Sequence, residues 1–368
     1  MAEYLKNDCG KNSVAFPGKI AVVTMPPSVN EDDYHSVDRL VAKYGPDKII
    51  HATWPEDFIN KQEKMTEIVA GLAADNEIKI LILNQAVEGS NAAVDKFKET
   101  RDDVFIVYCT VNEKPAEVAL RANLVILPNE LGMGLAMVKQ ARKQGAKVFV
   151  HYSFPRHMAI QVLSDRRDAI RDTCAEEDMV FIDSSVPDPL NDGGIAGARQ
   201  FILEDVPKLV SKYGDNIAFY CSNCHMQVSL IKAVIENHAI YPQPCCPSPY
   251  HGFPEAIGIN KENSRADLRM VISEACRIAE EKNMTDRLST WPVSASMMFT
   301  NVGAEYAILR LNGDVGRNRI DDHALENCMN SYIKEVVGEG VKVELASFEE
   351  NGVTYNNFKL VLMSYLDF

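Results

Sequence analysis

The chain has 368 residues, 46% hydrophobic and 24% charged, with a formal net charge of −14 and a pI of about 5.1. That length accommodates two domains of ordinary size, each with its own core. So acidic a chain repels a nucleic-acid backbone unless basic residues are concentrated on one face. The densest basic cluster, Arg166, Arg167 and Arg171, is interleaved with Asp165, Asp168 and Asp172, the pattern of a solvated helix face. Direct nucleic-acid binding is therefore not expected.

From residue 19 the chain alternates short apolar runs with amphipathic stretches. Strands are expected at 20–24, 48–52, 78–83, 104–108 and 124–127. Helices are expected between them, one carrying Val37, Leu40 and Val41 on a face and another, running to Ala74, carrying Ile59, Met65, Ile68, Val69 and Leu72. Strands separated by helical segments of about ten to twenty residues argue for right-handed βαβ units and a parallel sheet. The stretch 122–157 reads as strand, turn at Pro128 and Asn129, helix from about Gly132, and a second strand, with Gly145 ending the helix. It stands where a first set of such units gives way to a second.

The second set places strands at 148–152, 180–182 and 217–220, with helices to about 177, over 196–213 and to about 238. Residues 241–253 hold Pro242, Pro244, Pro247 and Pro249 and cannot be regular structure. Helices at about 264–282, 296–311 and 323–337 and a terminal strand pair at 341–348 and 358–365 complete the chain. The fold class is α/β: two doubly wound parallel-sheet lobes. No apolar run approaches the roughly 20 residues that span a bilayer. The start lacks a basic region followed by an apolar core. A cytoplasmic protein with no membrane insertion is the expectation.

Two sequential doubly wound lobes resemble the type I periplasmic-binding-protein fold, shared by repressor-type sensing cores and exported solute-binding lipoproteins. The stretches KIAVVT, HYSFPRHM and TWPVSASMM are similar to a bacterial family, domain of unknown function 3798, whose exported members are described as solute-binding lipoproteins. With no export signal read at its start, the chain is expected to differ from those members in not being exported. It differs from the repressors in having only eighteen residues ahead of its first strand. Residues 1–17, polar and irregular, are expected to form an arm, and the alternation divides the chain into a first lobe of 18–129 and a second of 130–286. The resemblance implies that about 287–313 return to the first lobe and about 314–368 to the second. It also implies a small-molecule ligand captured by hinge closure, with a protein partner or a second copy of the chain to receive the signal.

Ligands of doubly wound sheets bind beyond the carboxyl ends of the strands. The candidates there are Met25, Trp54, Asn84, Gln85, Glu88, Tyr108 and Thr110 in the first lobe. In the second they are Ser153, Arg156, His157, Asp183, Ser184, Ser185, Ser222, Asn223 and His225. Amides, hydroxyls, a guanidinium and rings suit bidentate recognition of a small polar molecule with some stacking. In this reading Arg156 and His157 anchor an anionic or hydroxylated group, Arg156 aided by a helix N-terminus. Asn84, Asp183 and Asn223 orient it, and Trp54 or Tyr108 stacks. Against this, Ser, Asp and Asn end strands simply because they cap helices, and an arginine there can be a surface ion pair.

Three other patterns bear on chemistry. Cys221-Ser222-Asn223-Cys224-His225 has the spacing of c-type haem attachment, but it joins a strand to a helix in a chain expected not to be exported. Cys221, Cys224 and His225 could instead combine with Cys245 and Cys246 around a soft metal. The other cysteines, among them Cys109, Cys174, Cys276 and Cys328, lie in apolar runs as reduced thiols do. Gly132-Met133-Gly134 opens a helix after a strand, yet the third glycine of a dinucleotide fingerprint is replaced by Met137, and no acid ends the next strand. An enzyme using His157, Asp183, Cys221 and His225 in the same cleft is the alternative function. The leading expectation has no cofactor, no catalytic residue and no metal.

Overall fold

The computed structural model describes residues 16–189, 191, 193–259, 268–316 and 319–368. The expected arm at 1–17 lies outside them, Phe16 and Pro17 apart. The first elements are β1 (Lys19–Thr24), α1 (Glu31–His35), α2 (Asp38–Tyr44), β2 (Ile49–Thr53), α3 (Gln62–Leu72), β3 (Ile78–Leu83), α4 (Ser90–Lys98), β4 (Phe105–Cys109), α5 (Pro115–Ala119) and β5 (Leu124–Pro128). Next come α6 (Glu130–Lys143), β6 (Val148–Ser153), α7 (Pro155–Met158), α8 (Gln161–Glu176), β7 (Val180–Ser185), α9 (Gly194–Tyr213), β8 (Ile217–Cys221), α10 (Gln227–Glu236), α11 (Phe253–Ile257), α12 (Leu268–Glu281) and β9 (Ser289–Thr290). The chain ends with α13 (Ala295–Asn312), α14 (Asp322–Val336), β10 (Val343–Glu350), β11 (Val353–Met363) and β12 (Leu366–Asp367).

These elements form two compact units. The first takes the chain to Pro128 and adds Ser296–Glu339 and Val343–Val361; the second is Asn129–Ala295 with Gly340–Lys342 and Leu362–Phe368. The first holds a seven-stranded sheet in the order β10-β11-β5-β4-β3-β1-β2. β1 pairs parallel with both β2 and β3, and β4 pairs parallel with β3 and β5. Its central strands are buried along nearly their whole length, as expected of a parallel sheet covered on both faces.

The sequence reading put residues 314–368 with the second lobe and 287–313 with the first; the packing differs at both ends. β11 adds to the first sheet by pairing parallel with β5, Phe358 against Val125 through Val361 against Pro128. It is joined to β10 by a tight turn at Asn351 and Gly352, both at positive φ. α14 packs on β10 and so belongs to the first unit. Residues up to Ala295 stay in the second unit, where β9 pairs antiparallel with β12.

The helix expected after β1 is two helices. Asn301 donates from Nδ2 to the Ser36 carbonyl at 3.0 Å, taking that group out of the helical ladder where α1 gives way to α2. α6 begins at Glu130, before Gly132, because the Asn129 side chain accepts from the Gly132 N–H at 2.9 Å. Gly145 follows that helix with φ of 96°, the left-handed position expected of it. Gly134 serves close packing: a Cβ there would come within 3.1 Å of Arg166 Cγ and 3.2 Å of its carbonyl oxygen on α8.

The second unit is built on a three-stranded parallel sheet, β7-β6-β8. One face packs against α9, α10 and α11 through Phe219, Ile202, Leu230 and Phe253; the other packs against α6 and α8 through Phe149, Met137 and Ile170. Among the described residues no helix is long and apolar enough to cross a membrane.

Candidate functional site

The carboxyl ends of β6, β7 and β8 share one edge of the second sheet, since Ser153 lies opposite Ser185 and Tyr152 opposite Cys221. Beyond that edge the chain turns through Phe154-Pro155 into α7, and through Ser222-Asn223 into a 3-10 turn at Cys224–Met226. These turns bring Arg156, His157, Ser222 and Asn223 together. His157 Nδ1 lies 3.1 Å from Ser222 Oγ, and its Nε2 lies 3.5 Å from Asn223 Nδ2. The imidazole packs on Phe154 with ring centroids 4.1 Å apart. The Arg156 guanidinium covers the same phenyl ring at 5.0 Å.

Arg156 is clamped by Asp188 in a two-pronged pair, Nε to Oδ2 and Nη2 to Oδ1, both at 2.8 Å. The arginine side chain is 44% exposed and the carboxylate 7%, so a fixed cation faces solvent while its counter-charge is held inside. The ion-pair alternative for Arg156 is thus observed, and it also holds the guanidinium in place. α7 is only four residues long, too short to lend Arg156 the helix dipole expected of it.

His157 is a neutral base here. Burial, reinforced by the nearby Arg156 and Arg166 charges, lowers its pKa from 6.5 to about 4. His151, buried in the sheet, is lowered likewise by burial. The unfolded chain therefore takes up protons near pH 6.5 before these folded imidazoles do. Stability is undiminished by them above pH 6.5 and falls as pH drops from there toward about 4. Urea midpoints measured at pH 7 and pH 5 are expected to differ, and His157→Gln should shrink that difference; an unchanged difference would place the coupling elsewhere.

Other candidates have different roles. Asp183 does not reach the edge. It accepts from the Arg167 guanidinium at 2.8 Å and meets His151 Nδ1 at 3.1 Å, on the flank covered by α8, and these two partners hold its carboxyl below the usual range. It neither caps a helix nor orients a group beside His157. Ser153 is buried, Ser184 half-buried and Ser185 exposed. Asn223 caps the 3-10 turn, accepting from the His225 N–H at 3.0 Å, whereas Ser222 caps nothing and faces His157.

In the first unit, Met25, Trp54 and Tyr108 are fully buried in the core beside Met65 and Phe97. Trp54 Nε1 donates to the Gln85 carbonyl at 2.8 Å, and Tyr108 donates to Asn91 Oδ1 at 3.3 Å. Asn84 is buried, its amide donating to the Ser296 carbonyl at 3.0 Å and to the Thr300 and Ser36 hydroxyls. Stacking by Trp54 or Tyr108 and orientation by Asn84 are thus not roles these side chains fill; large apolar rings at the ends of buried strands complete the core instead. Gln85 is half-buried and Glu88 exposed, while Thr110 adopts a positive φ of 48°.

The cysteines separate into two groups. Cys221 is buried in the core, its thiol directed at the Asn223 carbonyl and pushed up to about 12 by burial. His225 turns its ring to Asn223 Oδ1 and its carbonyl to Arg199. Neither joins the remaining thiols. Cys224, Cys245 and Cys246 instead gather with His251, their ligating atoms all within 4.8 Å of one another. Sequence reading missed His251, although its C-x4-H spacing from Cys246 within the proline-rich segment is the available signal. It missed Asp188 as well, which only folding brings to Arg156.

The sequence matches the family described as "Protein of unknown function (DUF3798)" over residues 18–289. The chain belongs to that family. Two proteins of Treponema pallidum (strain Nichols), both described as uncharacterized, are 30% and 32% identical to it. The matches cover 46% and 45% of this chain and 80% and 76% of those proteins. Among solved structures, a candidate transcriptional regulator from Clostridium difficile 630 superposes with a TM-score of 0.83 at 20% identity, covering 96% of this chain and all of that one. The substrate-binding protein of a sugar ABC transport system from Bordetella parapertussis 12822 gives a TM-score of 0.56 at 9% identity, covering 99% and 93%. An ABC sugar transporter subunit from Rhodobacter sphaeroides 2.4.1 gives 0.51 at 12%, covering 82% and 95%. The fold is that of type I periplasmic binding proteins, as the expected layout of two sequential doubly wound lobes implied.

Proposed function

We propose that this protein binds a small hydroxylated or anionic molecule, of sugar or polyol character, at the strand-end edge of its second unit. The observation that carries the reading is the fixed, solvent-facing Arg156 guanidinium, clamped by Asp188 beside the neutral His157, Ser222 and Asn223. A held cation next to hydroxyl, amide and imidazole groups matches a ligand presenting vicinal oxygens, and the Phe154 ring supplies an apolar face. The fold shared with sugar-transport binding proteins supports a solute ligand. Capture between two lobes with hinge closure, for sensing or regulation in the cytoplasm, is the finer form of the proposal and follows from the habit of that fold.

Binding is favoured over turnover by the state of the reactive groups. The Cys221 thiol is raised by burial instead of activated. The carboxylate that could orient His157 as a base, Asp183, is engaged with His151 and Arg167. The test is a thermal-shift and calorimetric panel of pentoses, hexoses, polyols and their acid derivatives against the full chain. A member of that class is expected to bind, and Arg156→Ala to weaken it by roughly 1.5–3 kcal/mol, the range for a charge-assisted hydrogen bond. No binding across the panel, or an affinity indifferent to Arg156→Ala and Ser222→Ala alike, would defeat the proposal.

A further inference from the structure

Two segments far apart in sequence bring four soft ligand atoms to one point on the second unit. Cys224 comes from the 3-10 turn after β8. Cys245, Cys246 and His251 come from the proline-rich loop between the Ile240 bridge and α11. Cys224 Sγ lies 3.3 Å from Cys245 Sγ and 3.7 Å from Cys246 Sγ; the two vicinal sulfurs are 3.9 Å apart, and His251 Nε2 is 3.6 Å from Cys245 Sγ. We propose that these four side chains form a tetrahedral Cys3His site for a single zinc-class divalent cation, which staples the proline-rich loop to the turn after β8.

The distances choose among the alternatives. A disulfide needs sulfurs at about 2.05 Å, and all eight described cysteines are free. Four ligands about 2.3 Å or less from one zinc stand roughly 3.8 Å apart along the tetrahedron's edges. The four pairs given above lie at 3.3–3.9 Å and the whole set within 4.8 Å, close enough for one ion to reach all four. In a cubane iron–sulfur cluster each thiolate binds its own iron, and the sulfurs stand farther apart than around one ion. Three sulfurs and one imidazole nitrogen are also the donor set of closed structural zinc sites.

The surroundings suit such a centre. Three thiolates around a divalent cation carry one net negative charge. The buried Arg166 guanidinium lies near enough to Cys245 to respond to its charge, while pairing with Glu130. Cys224 and Cys246 are exposed and His251 half-buried, so an ion has a way in. Residues 242–252 contain no helix or strand, and four of them are prolines that donate no backbone hydrogen bond. A metal cross-link supplies the tie that a backbone ladder cannot. The turn it fastens also carries Ser222 and Asn223, but the proposal stands on the ligand cluster alone.

The experiment is a titration of the reduced full-length chain with cobalt(II) chloride, followed by zinc(II) chloride. One Co2+ per chain is expected, with the strong d–d bands of tetrahedral coordination and a thiolate-to-metal charge-transfer band, both abolished by one equivalent of Zn2+. Native mass spectrometry should then show one zinc. Cys246→Ser and His251→Ala should each lower zinc affinity by more than the roughly 10–100-fold that loss of a mere outer-shell partner costs. His225→Ala and Cys221→Ala should leave the cobalt spectrum unchanged, which separates this ligand set from the C-x-x-C-H pattern. Circular dichroism confirms that each variant is folded. No stoichiometric uptake, a weak octahedral spectrum, or loss of binding in His225→Ala with retention in His251→Ala would overturn the site.

Discussion

Replacing Trp54 with alanine is expected to destabilise the first unit by about 3–5 kcal/mol, the cost of emptying a large aromatic site in a packed core. The indole is 1% exposed and sits in the cluster containing Met25, Met65, Leu83 and Tyr108. Its Nε1 donates to the Gln85 carbonyl at 2.8 Å, so the variant also leaves an acceptor without its partner. The chain has two tryptophans, Trp54 in the first unit and Trp291 in the second. In Trp54→Ala the remaining fluorescence therefore reports the second unit, while circular dichroism follows both. Urea unfolding should show an early circular-dichroism transition that Trp291 does not share. A loss below about 1 kcal/mol would mean that the ring is not part of the core and would reopen its role as a stacking surface.

A second large effect is expected at Glu130. Its carboxylate pairs with Arg166, whose side chain is 3% exposed and whose guanidinium also lies over the Tyr220 ring at 5.3 Å. Removing one partner of a buried ion pair strands the other charge, at about 3–5 kcal/mol. Glu130 keeps a quarter of its side chain in solvent, so Glu130→Ala should lie near the lower end, about 3 kcal/mol. The measurement is the Trp291 fluorescence transition in urea, read in a Trp54→Phe background so that only the second unit's tryptophan reports. Combining Glu130→Ala with Arg166→Met should recover most of the loss, because no charge is then left buried. A double variant no more stable than Glu130→Ala would show that the pair matters through packing instead of charge.

Both residues illustrate what a linear reading can and cannot see. Trp54 follows a strand and precedes Pro55, the position from which a ligand-stacking ring would project, and nothing in its neighbours' identities distinguishes that from a core position. Glu130 and Arg166 are thirty-six residues apart. Arg166 read as one member of a solvated basic face, yet the packing of α8 on α6 at Gly134 covers it.

The sequence by itself determined the repeating plan. Apolar runs such as residues 20–24, 78–83 and 148–152 are strands because a parallel sheet covered on both faces demands unbroken hydrophobicity. The helices between them are announced by their periodicity and the turns by Pro, Asn and Gly. It also determined that Arg156, His157, Ser222 and Asn223 stand at strand ends, since local punctuation fixes where a strand stops.

Tertiary structure alone decided the rest. Long-range pairing sent β11 to the first sheet, because backbone hydrogen bonding to β5 is available to any strand of suitable shape and leaves no mark in composition. Burial turned Trp54, Tyr108 and Asn84 inward, and pairing with His151 and Arg167 engaged Asp183. The convergence of Cys224 with Cys245, Cys246 and His251, and the exclusion of Cys221 and His225, depend on how an irregular loop returns to a strand end. Spacing along the chain sets which atoms can meet; only the packed backbone sets which of them do.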